Sequence, residues 1–341
     1  MQVFFNHGWR VAGLLFLYLS GVAASESAPV DTPYGAVGVP VELHKLPDAP
    51  VYYIIGLSGV PDAVNEGHTS NAGFVVTEDG VVVFDALGTP ALGYRMLQHI
   101  REVTDRPVRY VVVSHYHADH IYGLQAFKEH GGAPKVLAQR GALGYVGGTA
   151  ASQGEDAERR LAQRREALFP WVDEHTYIVA PDQVFDREMS FELGGVRFDL
   201  RHLGPAHAPA DAVMLVEDYQ VLFSGDVIYG GRIPFLDSPE TDIDQWLDGL
   251  DYVAGLRERI RYIIPGHGTI SEDARKAVAA TRDYIVYVLD AMAAAVNDMV
   301  PFDEAYENTD WSRYEDMPAF DASNRGNAYR IYLETEARSF Q

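Results

Sequence analysis

From Val51 onward the chain alternates short apolar runs with turn-forming residues. VYYIIGLSG, AGFVVTEDG and VVVFDALG are rich in β-branched and aromatic residues and are separated by glycine-bearing turns, which predicts strands. The EDG at Glu78–Gly80, between FVVT and VVVF, predicts a hairpin. Residues 91–103 (ALGYRMLQHIREV) repeat their apolar positions at helical spacing. RPVRYVVVSH has an unbroken apolar centre, the pattern of a strand buried on both faces. A short helix, IYGLQAFKEH, and another strand, KVLAQ, follow.

The rhythm breaks over residues 140–175. GALGYVGGTAASQG is small and polar, and EDAERRLAQRREALFPWVDEH predicts a charged amphipathic helix ending near Pro170. Such an excursion is either a surface elaboration or a lid that brings Tyr145, Phe169 and Trp171 to a cleft. The strand idiom then returns in VRFDLRHLG, AVMLVED, QVLFSGDVI and YIIPGHG, with a helix over TDIDQWLDGLDYVAGL. A long helix is expected from Ser271, and AYRIYLETEA predicts a last helix. Two successive blocks of strands with interspersed helices imply an α/β fold of sheet packed on sheet with helices outside. The expected organisation is a main domain over 49–298 and a helical extension over 299–341 packed on it.

The first residues read differently. Arg10 precedes an apolar run, Val11–Ala23, and small residues follow, which is the pattern of a signal peptide over 1–24. The run is short for a membrane span of roughly 20 residues. Export to the bacterial periplasm is therefore expected, without stable membrane association after cleavage. Residues 25–48 are small and proline-rich and read as an arm or linker. With no cysteine there is no disulfide and no thiolate ligand. Formal charge is −22, from 27 basic and 49 acidic residues. That surface repels nucleic acid and anionic lipid, and it leaves a small molecule as the expected partner.

The candidate chemistry lies at the end of one strand, in VVVSHYHADH. His115 and His117 are two apart, so both can point the same way, while Asp119 and His120 sit in the turn before a helix. Imidazole and carboxylate suit zinc, iron or manganese. Three further residues at strand ends gain meaning beside this cluster: His207 in GPAHAPAD, Asp226 in LFSGDVI and His267 in IIPGHG. His68, in NEGHTSN, reads as a surface-loop residue.

The order HYHADH, GPAHAPAD, LFSGDVI, IIPGHG resembles the metallo-β-lactamase-fold superfamily over roughly residues 50–275, and SNAGFVVTEDGVVVFDAL resembles its opening hairpin. The resemblance implies a four-layer αβ/βα sandwich with the site at one edge. It implies that His115, His117 and His207 hold one divalent metal, that Asp119, His120 and His267 hold another, and that Asp226 bridges them. It further implies that Asp85 orients the ligand loop, with Asp211 acting likewise after His207. Two metals, zinc by expectation, would then lie about 3.5–4 Å apart and could share a hydroxide that would attack an electrophilic centre. Asp119 would assist proton movement.

An aspartate rather than cysteine at the bridging position argues against a dedicated β-lactamase and toward a hydrolase of a small ester, thioester, lactone or lactam-like substrate. The phrases GPAHAPAD, SGDVIYGGRIPF and NAYRIYLETE also resemble exported metallohydrolases associated with quinoprotein and sulfur-oxidation systems. Two other classes stay open: a mononuclear iron persulfide dioxygenase, and a non-catalytic periplasmic carrier of metal or cofactor.

Overall fold

The computed structural model describes residues 28–146, 151–236, 238 and 240–339. The expected signal segment, 1–24, lies outside the described residues.

Period-two strands build both sheets. The first runs in the order β1 (Leu43–Lys45), β2 (Val51–Ile54), β3 (Ala72–Val76), β4 (Val81–Phe84), β5 (Val108–Val112), β6 (Lys135–Gln139), β7 (Gln183–Phe185). The pairs up to β4 are antiparallel; from β4 onward neighbours are parallel. The second sheet runs β12 (Tyr262–Gly268), β11 (Val221–Gly230), β10 (Ala212–Val216), β9 (Val196–His202), β8 (Glu188–Leu193). Only the β11–β12 pair in it is parallel.

Helices cover the outer faces. α1 (Pro90–Val103), α2 (Ala118–Ile121), α3 (Leu124–His130), α4 (Ala142–Tyr145) and α5 (Ala151–Leu168) belong to the first half. α6 (Ile243–Gly255), α7 (Ala274–Asn297), α8 (Phe302–Asn308) and α9 (Phe320–Ser339) belong to the second. Alternate strand residues separate the layers. Val81, Val83, Val111 and Val113 face the helices of the first half, while Val82, Phe84 and Val112 meet Phe223, Met214 and Phe198 between the sheets. Leu222, Val213 and Ile263 face α6, α7 and α9. Each apolar run is thus buried on both sides, and the layers are αβ/βα.

Local chemistry sets the helix ends. Thr89 caps α1, its hydroxyl accepting from Leu92 N, with Pro90 at the first turn. α7 begins after Asp273 rather than at Ser271, because the Asp273 carboxylate accepts from Arg275 N and Lys276 N. The 25–48 segment is an arm only in part: Leu43–Lys45 pairs with β2, and Leu46, Val37 and Val41 are buried. Three apolar anchors among prolines suffice to pin it against the sheet. The 140–175 excursion forms α4 and α5, and residues 299–339 form α8 and α9, which pack on α7.

Candidate metal centre

Four segments meet at one edge of the sandwich: the loops after β5 and β9, the bend within β11, and the end of β12 that carries His267. All seven residues expected as ligands converge there. His115, His117 and His207 form one set whose ligand atoms lie within 4.8 Å of one another; His115, His120 and Asp226 form a second; Asp119, His120 and His267 form a third. The sets share residues, so they are parts of one cluster. Asp226 is its hub, with Oδ1 at 3.2 Å from His120 Nε2, and Oδ2 at 3.2 Å from His267 Nε2 and 3.4 Å from His207 Nε2. His267 Nε2 also lies 3.4 Å from Asp119 Oδ2, and His207 Nε2 lies 2.9 Å from His117 Nδ1.

The outward nitrogens are tied down, which fixes the tautomers. His120 Nδ1–H donates to Asp85 Oδ2 at 2.8 Å. His207 Nδ1–H donates to the Phe235 carbonyl at 3.0 Å, and His267 Nδ1–H to the Thr69 carbonyl at 2.7 Å. Asp85 also accepts from Ser114 N and Ser114 Oγ, both at 2.8 Å, so the Ser114 oxygen is free to accept from His115 Nδ1–H at 3.0 Å. One buried carboxylate therefore orients two imidazoles. The inward atoms of the same groups, His115 Nε2, His120 Nε2 and Asp226 Oδ1, are buried without a hydrogen-bond partner. Buried polar atoms of this kind call for a ligand, and neutral imidazole nitrogens beside a carboxylate oxygen are a divalent-metal donor set. The residues present fit the metals that the family resemblance implies.

Electrostatics divide the imidazoles. Burial, reinforced by the neighbouring imidazoles, pushes His115 well below its usual value. Burial and His207 bring His117 down to about 3. Burial would also lower His120, but the Asp226, Asp119 and Asp85 carboxylates outweigh it and hold that imidazole well above its usual value. For Asp119, burial is outweighed by His120 and His267, which bring the carboxyl to about 2. A cation held at His120 would have to displace that proton.

Backbone geometry makes room for these groups. Asp85 sits at φ +59°, a left-handed conformation that Asp and Asn tolerate better than other side chains. A Cβ on Gly266 would overlap Asp226 Oδ1, so glycine is required behind the hub carboxylate.

Asp211 Oδ2 accepts from Ala208 N at 2.7 Å and shapes the loop carrying His207, whose ring the Phe235 carbonyl holds. One expectation needs correction. His68 is fully buried, not on a surface loop, and neither ring nitrogen has a hydrogen-bond partner. Its neighbour Thr69 draws it inward, since Thr69 accepts from His267 and donates to Asp119 Oδ2 at 3.2 Å.

Three residues escaped the sequence reading. Ser114 is the relay described above. Tyr229 donates to Asp226 Oδ2 at 2.7 Å and stacks on the His267 ring, with centroids 5.5 Å apart and planes 6° apart. Arg232 is buried between the Tyr229 and Phe235 rings, and its Nη1 lies 3.1 Å from His267 Nδ1. A signal for Ser114 existed, since it adjoins the first ligand. None existed for Tyr229, because the register of β11 shifts between Gly225 and Tyr229 and breaks the alternation that parity assumes.

Beside His117 opens a cavity of about 210 Å³. Its walls are mostly small or aromatic, including Tyr116, Ala142, Tyr145, Ala157 and Ala210, and Arg160 and Glu240 pair at 3.4 Å on its rim. Helices α4 and α5 supply one wall, so the excursion borders the cluster.

The comparisons with known proteins agree with this architecture. Residues 66–267 match the model of the metallo-beta-lactamase superfamily. A linear primary-alkylsulfatase of Pseudomonas sp. (strain ATCC 19151) is 25% identical over 259 residues, covering 67% of this chain and 48% of that protein. The hydroxyacylglutathione hydrolase GloC of Haemophilus influenzae is 26% identical over 186 residues, covering 53% of this chain and 79% of the relative. The chain thus spans about half the length of the alkylsulfatase and most of the shorter hydrolase. Among solved structures, the sec-alkylsulfatase Pisa1 from Pseudomonas sp. superposes with a TM-score of 0.65 at 18% identity, covering 86% of this chain and 50% of that one. A metallo-beta-lactamase from Pontibacter korlensis gives 0.54 at 17% identity, covering 72% and 99%. With the family model matching more than half of its length and its His/Asp cluster at the sandwich edge, the chain belongs to the metallo-beta-lactamase superfamily.

Proposed function

We propose that the protein is an exported hydrolase with two divalent metals, zinc by preference, acting on a small ester, thioester, lactone or lactam-like substrate. The observation that carries this reading is the convergence of seven histidine and aspartate side chains whose inward atoms include three buried, unpartnered donors to a cation. His115, His117 and His207 would hold one metal; Asp119, His120 and His267 would hold the second; Asp226 would touch both. When bound, the metals supply Lewis acidity and activate water for attack near neutral pH.

The remaining roles belong to the chain itself. Asp85, Ser114, Phe235 and Thr69 hold four imidazoles by Nδ1, which turns their Nε2 atoms inward. Tyr229 fixes one oxygen of Asp226. Asp119, the most exposed carboxylate of the cluster with 15% of its side chain accessible, is placed to take or return a proton at Oδ2. The cavity beside His117 would receive a slim apolar arm of the substrate, since its rim charges are paired with each other.

A second reading is favoured by the alkylsulfatase similarity over 67% of this chain: the scissile bond would then be that of a sulfate ester. Export rests on the apolar run Val11–Ala23 ahead of small residues, and the N-terminal sequence of secreted protein tests it.

The test is metal quantification on purified protein, paired with a panel of ester, thioester, lactone, lactam and alkyl-sulfate substrates. His117→Ala and Asp226→Ala should lose metal and hydrolysis together. Hydrolysis that survives in metal-stripped protein would overturn the reading. Iron as the retained metal, with oxygen consumed on persulfide, would move the assignment to the oxidoreductase class.

A further inference from the structure

The C-terminal helix reaches the metal centre through a chain of hydrogen bonds. Asn327 on α9 is fully buried. Its Oδ1 accepts from Leu236 N at 2.7 Å, and its Nδ2 donates to the Pro234 carbonyl at 2.7 Å. One carboxamide thus grips the backbone on both sides of Phe235. The Phe235 carbonyl is the acceptor that holds His207 Nδ1–H at 3.0 Å.

One turn further along, Arg330 shares the face of Asn327. Its Nη2 donates to the Thr241 carbonyl at 3.3 Å, and its Nε to the Ser238 carbonyl at 3.4 Å. Thr241 in turn donates from Oγ1 to the His207 carbonyl at 3.0 Å, and the next residue, Asp242, donates from N to the Ala206 carbonyl at 2.9 Å. The two α9 residues therefore bracket His207 from both directions, Asn327 through its ring and Arg330 through its backbone. A buried carboxamide satisfied on both ends is geometrically demanding and contributes more to placement than to bulk packing.

We infer that Asn327 and Arg330 are positioning residues for the metal ligand His207, so that a helix beyond the family-matched residues 66–267 completes the metal centre instead of only covering the outer sheet. This rests on the metal-centre reading above. It predicts that loosening the bracket weakens metal binding while the fold persists, because groups behind a metal ligand typically contribute about 10–100-fold to affinity when mutated.

The experiment compares Asn327→Leu, Arg330→Met and Ile331→Ala with wild type. Ile331 is a buried apolar residue of α9 that makes no part of the bracket. Zinc affinity is read by chelator competition, the ligand field by the visible spectrum of the cobalt-substituted protein, and stability by thermal melting of the metal-free form. N327L should bind one of two zinc equivalents about 10–100-fold more weakly and show an altered cobalt spectrum. R330M should show a smaller change in the same direction. I331A should melt earlier with wild-type affinity and spectrum. Zinc affinity of R330M and of folded N327L within twofold of wild type overturns the inference. So does an I331A affinity loss matching that of N327L, since helix stability alone would then explain the effect. Should N327L fail to fold, R330M decides. Wild-type protein that binds no metal overturns the metal-centre reading and this inference together; normal wild-type binding with unaffected variants overturns only the latter.

Discussion

Asp85→Asn changes one buried atom and should reverse two tautomers. In the native site Asp85 Oδ1 accepts from Ser114 N, and Oδ2 accepts from both Ser114 Oγ and His120 Nδ1. An asparagine that keeps its oxygen on Ser114 N must place its amide nitrogen toward the other two groups. That nitrogen only donates. His120 Nδ1 would then have to accept, which moves its proton to Nε2, the inward atom. Ser114 Oγ would accept from the amide and turn its hydrogen toward His115 Nδ1, which moves that proton to Nε2 as well. Both metal-facing nitrogens would be capped by hydrogen. The backbone at φ +59° suits asparagine as well as aspartate, so the fold should persist. A change in the groups behind a ligand typically costs about 10–100-fold in metal affinity, or about 1.4–2.8 kcal/mol, and two affected imidazoles place D85N at the upper end. Chelator competition with zinc gives the affinity, and nitrogen NMR of the imidazoles reports which atom carries the proton. Zinc binding within twofold of wild type, with His120 still protonated at Nδ1, would refute the relay.

Other outcomes follow from the same geometry. Gly266→Ala places a Cβ against Asp226 Oδ1, and it should remove one metal equivalent and cost about 1–3 kcal/mol in denaturant unfolding; full metal content would contradict this. Burial raises the Asp211 carboxyl from 3.8 to about 7. A raised folded value favours the neutral acid, so that contribution to stability is complete below about pH 4 and is lost as pH climbs through about 7, at most ~4 kcal/mol. Metal-free wild type should therefore lose melting temperature between pH 5 and pH 8 more steeply than Asp211→Asn, and equal slopes would exclude the effect. Ala157→Trp, which fills the cavity beside His117, should lower kcat/KM for long-chain esters far more than for acetate esters; equal losses would remove the cavity from substrate binding.

Much of this was legible because it is local. The apolar runs of β3, β4 and β5 have the period and turn residues of strands, and HYHADH gathers four candidate ligands within six residues. His207, Asp226 and His267 were readable only beside that cluster, since a lone histidine after a strand carries no signal by itself. What escaped depends on tertiary packing. β7 is short and partly exposed, whereas β8 carries a period-two signal, Met189, Phe191 and Leu193 alternating with Glu188, Ser190 and Glu192, that was readable and passed over. His68 is polar in a polar stretch, and its burial next to Thr69, which bonds two of the candidate ligands, comes from contacts distant in sequence. The Phe235 carbonyl and the Asn327 bracket are contacts across 28 and about 90 residues, which no local pattern encodes. Asp211 was placed near the correct loop, but its partner is a backbone amide, which the identity of a side chain cannot reveal.

The most direct test of the central claim is metal content per chain of wild type and Asp226→Ala, measured on the same samples used to assay ester hydrolysis. The account predicts close to two divalent ions per wild-type chain, loss of metal and hydrolysis together in the variant, and recovery of chelator-treated wild type on adding zinc. Wild-type protein that hydrolyses at full rate without metal, or a variant that keeps both ions and full activity, would contradict it.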